Sequence, residues 1–301
     1  MNDKPFTIQP LPHKGLGVIA TRPIAQGEEI LSESPLFTQS IARSAHTIAR
    51  SLSLLTKHEQ EQYLALSNCH QAQLPPLLGI FETNALPCGE NNAELGLRAD
   101  RAGIFLQASR FNSSCTPNVN NCWINSKKVI SIHALRDIAE GEELYLCYTG
   151  MLDVRDKRRR LLKEKFGFDC HCEACGRVGK ELKESDRRRQ TIQRLIDEIP
   201  ACHSLPADGV RKVKTALALL RSEGIALYED TLSYDAFQFC VASSDFQSAK
   251  MWARKAYEAA ILSGGVDYDG VEKFRKYMEN PRSHMAAGMG RRMKLSPPDD
   301  V

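Results

Sequence analysis

The feature that most narrows what this chain can fold into is the run Cys170-His171-Cys172-Glu173-Ala174-Cys175, three thiols within six residues. Thiolates at that density can converge on one tetrahedral zinc ion, which asks for a fourth ligand. His171 is a candidate by type, but it lies between two ligands that would share the ion and tends to point away from it. Another cysteine suits better. Cys115 lies in Asn112-Ser113-Ser114-Cys115-Thr116-Pro117-Asn118, where Pro117 stiffens the chain and polar side chains can hold a buried loop in shape. A site closed by Cys115, Cys170, Cys172 and Cys175 leaves no position for water or substrate, so it is structural, and it would pin a late segment onto an earlier β-domain. Cys69, Cys88, Cys122, Cys147, Cys202 and Cys240 stand alone and read as small packing residues.

Ten cysteines could instead form a disulfide framework, but that pattern belongs to short secreted chains. This chain has 301 residues, and Met1 to Pro12 carries neither a basic start nor an apolar stretch. No apolar run is long enough to span a bilayer, so a folded, soluble protein is expected. With 40 basic and 37 acidic residues the net charge is +3, a near balance that implies neither nucleic acid nor an anionic membrane.

Periodicity divides the chain. Gly17-Val18-Ile19-Ala20 and Glu29-Ile30-Leu31 flank the turn-like Ala25-Gln26-Gly27 and predict strands. From Ser40 to Leu66, Ile41, Ala45, Ile48, Leu52 and Leu55 recur at helical steps. Alternation returns in Val129 to Leu135, and Glu140-Gly141 turns the chain before Leu144 to Tyr148. A basic helix around Val154 to Phe166 precedes the cysteines. Its Arg155, Lys157, Arg158, Arg159 and Arg160 read as a solvated face, since no aromatic residues interleave them. Beyond Glu181 the chain reads as helices punctuated by Pro200, Gly224, Gly264-Gly265 and Pro281. Phe246, Ala249, Ala253, Ala256, Tyr257 and Ala260 form one stripe, with Ser244 or Asp245 as the cap and Gly264 at the end. The tail from Ser283, rich in Met, Gly, Arg and Pro without period, is expected to be disordered.

Four segments in this order resemble the SET-domain lysine methyltransferases, in particular the SET and MYND branch. His13-Lys14-Gly15-Leu16-Gly17-Val18-Ile19-Ala20 looks like the opening Gly-x-Gly. Arg110 to Asn118 is similar to the family's Asn-His-Ser-Cys-x-Pro-Asn, with Ser113 in the place of histidine. Glu140 to Tyr148 is similar to the Gly-Glu-Glu-Leu run that ends in the active-site tyrosine, and the cysteine run matches the post-SET segment. No second group of paired cysteines and histidines occurs between Phe37 and Ala102, where the MYND module of that branch is therefore missing.

The resemblance implies an α+β chain. Residues 1–37 and 102–150 would form a β-rich SET fold split by a helical insertion at 38–101. A post-SET zinc segment would follow at 151–178, an all-helical domain at 179–282 and the tail at 283–301. It implies transfer of a methyl group from S-adenosylmethionine to a lysine of a protein substrate, histone or other, in nucleus or cytoplasm. Lys14, Gly15, Leu16 and Gly17 through their backbone, Asn84, Asn112 and Ser113, Tyr148, and Phe168 against the adenine would hold the cofactor. Leu86, Phe166 and Tyr148 would line the lysine channel, with Tyr148 the catalytic residue. Taken singly, Tyr148 could be a buried strand tyrosine, Asn112 a turn residue, Asn84 a cap and Phe168 core. Two other functions compete: a non-catalytic SET scaffold recruiting protein partners through its C-terminal helices, and a zinc-dependent nucleic-acid binder, the weaker of the two. A monomer is expected.

Overall fold

The first turn is made possible by His13 and Gly15, both at positive φ, which fold β1 (Phe6–Leu11) back on β2 (Gly15–Ala20) in the register Phe6 to Ala20. The computed structural model describes residues 4–92 and 98–299. Beyond the hairpin, β3 (Glu29–Glu33), β8 (Val119–Ile124) and β9 (Val129–Ala134) form an antiparallel sheet in the order β3-β9-β8. Strand β9 is buried on both faces. One face, with Ile130, Ile132 and Ala134, joins the β-domain core of Phe6, Val18, Phe105, Phe111 and Leu144. Its other face carries Ser131 and His133, which satisfy each other at 2.9 Å while the His133 ring also meets the Gly27 carbonyl.

The span 38–101 is a mixed insertion rather than a purely helical one. It holds α1 (Ala45–Leu52), α2 (Lys57–Leu64) and α3 (Pro76–Asn84), but also strands. Here β4 (Phe37–Ser40) and β5 (Leu86–Asn92) flank β6 (Arg98–Ile104) in a second antiparallel sheet. β4 is short and its partner β6 lies some way along the chain, while β5 and β6, neighbours in sequence, carry little apolar alternation, so no local period reveals them. Ile41, expected on the helical stripe, is exposed ahead of α1, because Ser44 and Thr47 make a capping box that starts the helix at Ala45. Ile48, Leu52, Tyr63, Phe81 and Ile104 fill the small core between these helices and their sheet.

After β7 (Asn112–Ser113) and β10 (Tyr145–Leu146), a parallel pair, come α4 (Arg155–Phe166) and the single turn α5 (Glu173–Gly176). Gly167, at φ +76, stops α4 and turns the chain toward the cysteines. The helical domain comprises α6 (Gly179–Glu198), α7 (Pro206–Ser222), α8 (Glu229–Ala242), α9 (Phe246–Gly264) and α10 (Asp269–Glu279). The stripe on α9 packs as its small residues allow: Ala249, Ala253, Ala256 and Ala260 are buried, with Trp252 among them, and Asp245 provides the cap. The end of α9 meets the β-domain, where Asn120 donates to the Ser263 carbonyl at 2.9 Å and Lys127 pairs with Asp267.

The segment from Ser283 to Asp299 differs from the expected disorder. It lies along α7 and α9, with Leu295 buried in the helical core and Asp299 paired with Lys214 at 2.8 Å. Its composition gives no periodic face, and what orders it is side chains on distant helices bonding its backbone.

Candidate functional site

Strand β2 holds Gly17 so close to its neighbours that any side chain there would have to displace them. A Cβ there would lie 2.2 Å from Leu11 Cδ1 and 2.9 Å from Asn112 Nδ2. Gly15, at φ +72, is the opposite case, with nothing within 4 Å of where its Cβ would stand. So the loop leading to β2 is open on one side while β2 itself presses against Asn112.

The turn at Glu140-Gly141 sends the chain back along β2, where Ala20 N donates to Glu142 O and Leu144 N to Val18 O. The next residues form β10 and pair with β7, Tyr145 opposite Asn112 and Leu146 opposite Ser113. Asn118 locks this join: its Oδ1 accepts from Tyr145 N at 2.6 Å and its Nδ2 donates to Glu143 O at 2.9 Å. Three segments far apart in sequence, 14–20, 112–118 and 142–148, are thereby one surface.

Glu143 is the hub of that surface. Its Oε1 accepts from Asn112 Nδ2 at 2.8 Å, and its Oε2 accepts from Lys14 Nζ at 2.8 Å and from the Tyr145 hydroxyl at 2.5 Å. Burial pulls the Lys14 pKa down, but the hydrogen bonds to Glu143 and Tyr145 outweigh it and leave the ammonium above its ordinary value. Lys14 was singled out for its backbone; the role of its side chain in this network, and those of Glu143 and Tyr145, are not legible in the motif.

Tyr148 follows β10. Its N–H donates to Ser113 Oγ at 3.1 Å and its hydroxyl donates to the Phe111 carbonyl at 2.5 Å. Burial, and then the charge of Glu143, push the phenol above its ordinary pKa, so the hydroxyl keeps its proton and acts as a donor. Phe166, at the end of α4, packs tilted against this ring with centroids 4.8 Å apart. Phe166 and Phe168 both lean on the cysteine cluster, and Leu86 joins Tyr148 at the edge of the β-domain core.

Of the two asparagines expected to face a cofactor, neither has an idle amide. Asn112 donates to Leu16 O as well as to Glu143, and Asn84, buried at the end of α3, donates to Ser67 O and Ile80 O. Among the described residues, none donates a hydrogen bond to the Oδ1 of either. Asn84 is tied to the β-domain through its own carbonyl, which accepts from Ser109 Oγ at 2.9 Å.

The four cysteines meet as expected. The Sγ atoms of Cys115, Cys170, Cys172 and Cys175 all lie within 4.8 Å of one another, Cys115 and Cys175 at 3.6 Å. Thiolates about 2.3 Å from a tetrahedral zinc stand roughly 3.8 Å apart, so the donor set fits that ion. The crowded thiols perturb one another: hydrogen bonding led by Cys115 lowers Cys172, and hydrogen bonding led by Cys170 raises Cys115. A divalent cation would relieve that conflict by favouring the thiolate at all four. His171, between two of them, is exposed and outside the set.

Two buried arginines back the cluster. Arg158 is fully buried within the run expected to be a solvated face; it donates to the Asp153 carbonyl and its Nη2 lies 4.0 Å from Cys175 Sγ. Four thiolates around a dication leave net negative charge, which an arginine beside them offsets. Arg189 on α6 donates to the carbonyls of Cys115 and Met151. Sequence gave no sign of either, because one buried arginine in a basic helix looks like its solvated neighbours.

A β-fold split by an insertion, a glycine strand joined through Asn112 to the segment that leads into Tyr148, and a cluster of four cysteines define a protein of the SET class. A family model described as the SET domain matches residues 15–149. The chain is 34% identical over 287 residues to the histone-lysine N-methyltransferase set5 of Schizosaccharomyces pombe, covering 94% of this chain and 86% of that one. It is 28% identical over 254 residues to the histone-lysine N-methyltransferase SMYD3 of Mus musculus, covering 76% of this chain and 58% of that one. Over 81 residues it is 38% identical to the histone-lysine N-methyltransferase SET5 of Yarrowia lipolytica, covering 27% and 18%. The chain belongs to the SET-domain family, as its motifs imply.

Proposed function

We propose that this protein transfers methyl groups from S-adenosylmethionine to the side-chain amine of a lysine in a protein substrate, with a histone as the first candidate and the nucleus as the place of action. The observation that carries this reading is the meeting of Gly15 to Gly17, Asn112, Ser113 and Tyr148 on one surface that abuts Phe166, Phe168 and the cysteine clasp. The relatives named as histone-lysine N-methyltransferases support it over most of the chain. Among the described residues no helix is long and apolar enough to cross a membrane.

The open backbone of Lys14 to Gly17, the Oδ1 atoms of Asn84 and Asn112, Ser113, and the face of Phe168 would hold the cofactor, whose sulfonium supplies the methyl group. The chain's own part is alignment. Tyr148 and Phe166 offer π surface to an entering lysine side chain, with Leu86 completing the channel wall. A lysine amine with an ordinary pKa near ~10.4 must enter neutral to attack, and an apolar channel favours that form. Tyr148, held protonated, is suited to orient groups by donating a hydrogen bond rather than to take up the lysine proton. Cys115, Cys170, Cys172 and Cys175 would hold a structural zinc that keeps Phe166 and Phe168 against the site.

The test is a calorimetric titration of S-adenosylmethionine into zinc-loaded protein, followed by transfer of labelled methyl to core histones. Saturable one-to-one binding and label on a histone lysine are expected. Folded, zinc-loaded protein with no detectable binding would refute the reading.

A further inference from the structure

The C-terminal segment is held in the manner of a bound peptide. From Gly288 to Ser296 the chain forms no helix or strand of its own, and Leu295 is its single buried residue. Its backbone is read by α8 and α9. Gly288 N donates to Val241 O at 3.1 Å, Gly290 N to Ala242 O at 2.9 Å and Met293 N to Ser243 O at 3.1 Å, so three successive carbonyls at the end of α8 meet the segment, with Val241 O also accepting from Ser244 N. Asp245 divides its carboxylate: Oδ1 accepts from Ser248 N and caps α9, while Oδ2 accepts from Leu295 N at 2.8 Å. In return Ser248 Oγ donates to Leu295 O and Trp252 Nε1 donates to Ser296 O, both at 3.0 Å.

A segment that belongs to a core by composition buries many side chains. Here one leucine enters a pocket, Met289 is 79% exposed, Arg291, Arg292 and Lys294 face outward, and side chains grip the N–H and C=O of the same residue. That division, backbone bonds for grip and one pocket for selection, is how grooves recognise extended peptides. Gly290 adds a second selector, since a Cβ there would stand 3.2 Å from Ala242 O.

We propose that the groove of Ser243, Asp245, Ser248 and Trp252 is a docking site for extended peptides with a glycine followed five residues on by leucine, and that the chain's own tail occupies it in cis. A partner carrying such a segment engages the helical domain by displacing the tail. A tethered occupant competes at an effective concentration on the order of millimolar, so the free groove is seen only when the tail is weakened. The inference does not depend on the methyl-transfer reading.

The probe is a fluorescein-labelled peptide of the sequence of residues 288–299, added to the 301-residue chain and to its Leu295→Asp variant and read by anisotropy. Binding to the variant at least tenfold tighter than to the unaltered chain is expected, with loss of binding when the peptide itself carries Leu295→Asp. Adding Ser248→Ala to the variant should weaken its capture of the peptide, because the donor to Leu295 O is lost. Absence of binding by a variant that still unfolds cooperatively would overturn the proposal. So would loss of that cooperative transition in the variant, which would make the tail a core element of the domain.

Discussion

Arg189 of α6 donates a hydrogen bond to the carbonyl oxygen of Cys115 at 3.1 Å and a second to that of Met151. One guanidinium from the helical domain thus joins the cysteine-bearing loop to the segment just past Tyr148. It is itself held by Glu223, whose Oε2 accepts from Arg189 Nε at 2.9 Å, and both side chains are fully buried. Ser185, Arg188 and Arg177 complete the shell around that carboxylate. The helical domain is therefore wired into the site it flanks, and this connection is the first place to test.

Glu223→Ala should destabilise the protein by roughly 3–5 kcal/mol, the usual cost of stranding a buried charge, measured by urea denaturation. Burial alone would raise the Glu223 pKa, but bonds from Ser185 and Arg188 and the charge of Arg189 bring it below the ordinary value. A depressed carboxylate contributes stability above its unfolded pKa of about 4.3 and loses it as pH falls through the lower folded value. Melting temperature should therefore fall more steeply below about pH 4.3 in the unaltered protein than in Glu223→Gln; parallel profiles would contradict this.

Tyr148→Phe keeps the ring against Phe166 and removes the donor to Phe111 O. Methyl transfer should drop about tenfold or more, the equivalent of roughly 1.4 kcal/mol in the barrier, with zinc content and melting unchanged. Because its phenol lies above the ordinary range, no loss of activity from Tyr148 ionisation is expected up to about pH 10. A Phe variant with full turnover would remove Tyr148 from the chemistry.

Cys172→Ser should release the zinc and loosen the chain from Phe166 to Cys175, since Phe166 and Phe168 rest on the cluster. Atomic emission would give the metal stoichiometry and hydrogen exchange the local opening. Chelation of the unaltered protein should produce the same exchange pattern, and protection that survives metal loss would show that packing alone holds the segment.

Gly17→Ala forces a methyl group onto Leu11 Cδ1 and Asn112 Nδ2 and should cost about 1–3 kcal/mol. Cofactor affinity should fall with it, because Asn112 also bonds Leu16 O. Gly176→Ala, where a Cβ meets nothing within 4 Å, is the control and should be neutral by the same calorimetry.

Several residues of the proposed site stand out in the chain because they carry local chemistry. The cysteine spacing announces a tetrahedral donor set, and Gly15 and Gly17 sit in a run that resembles a known motif. Asn84 was harder, since its buried amide serves Ser67 and Ile80, the capping kind of role that a lone asparagine also suggests. Arg158 shows the limit of pattern reading, because it is the member of a charge run whose surroundings are dry.

The sequence by itself determined the features whose cause is local: the alternation of β9, the stripe and cap of α9, the close spacing of Cys170, Cys172 and Cys175, and the glycines of β2. Only the tertiary structure decided what depends on partners far along the chain. It built the β4-β6-β5 sheet, made Glu143 a hub for Lys14, Asn112 and Tyr145, tied Arg189 to Cys115, and fixed the tail at Leu295. A residue's own type and spacing set its preferences, but whether a charge is dry or a tail is gripped depends on what packs against it.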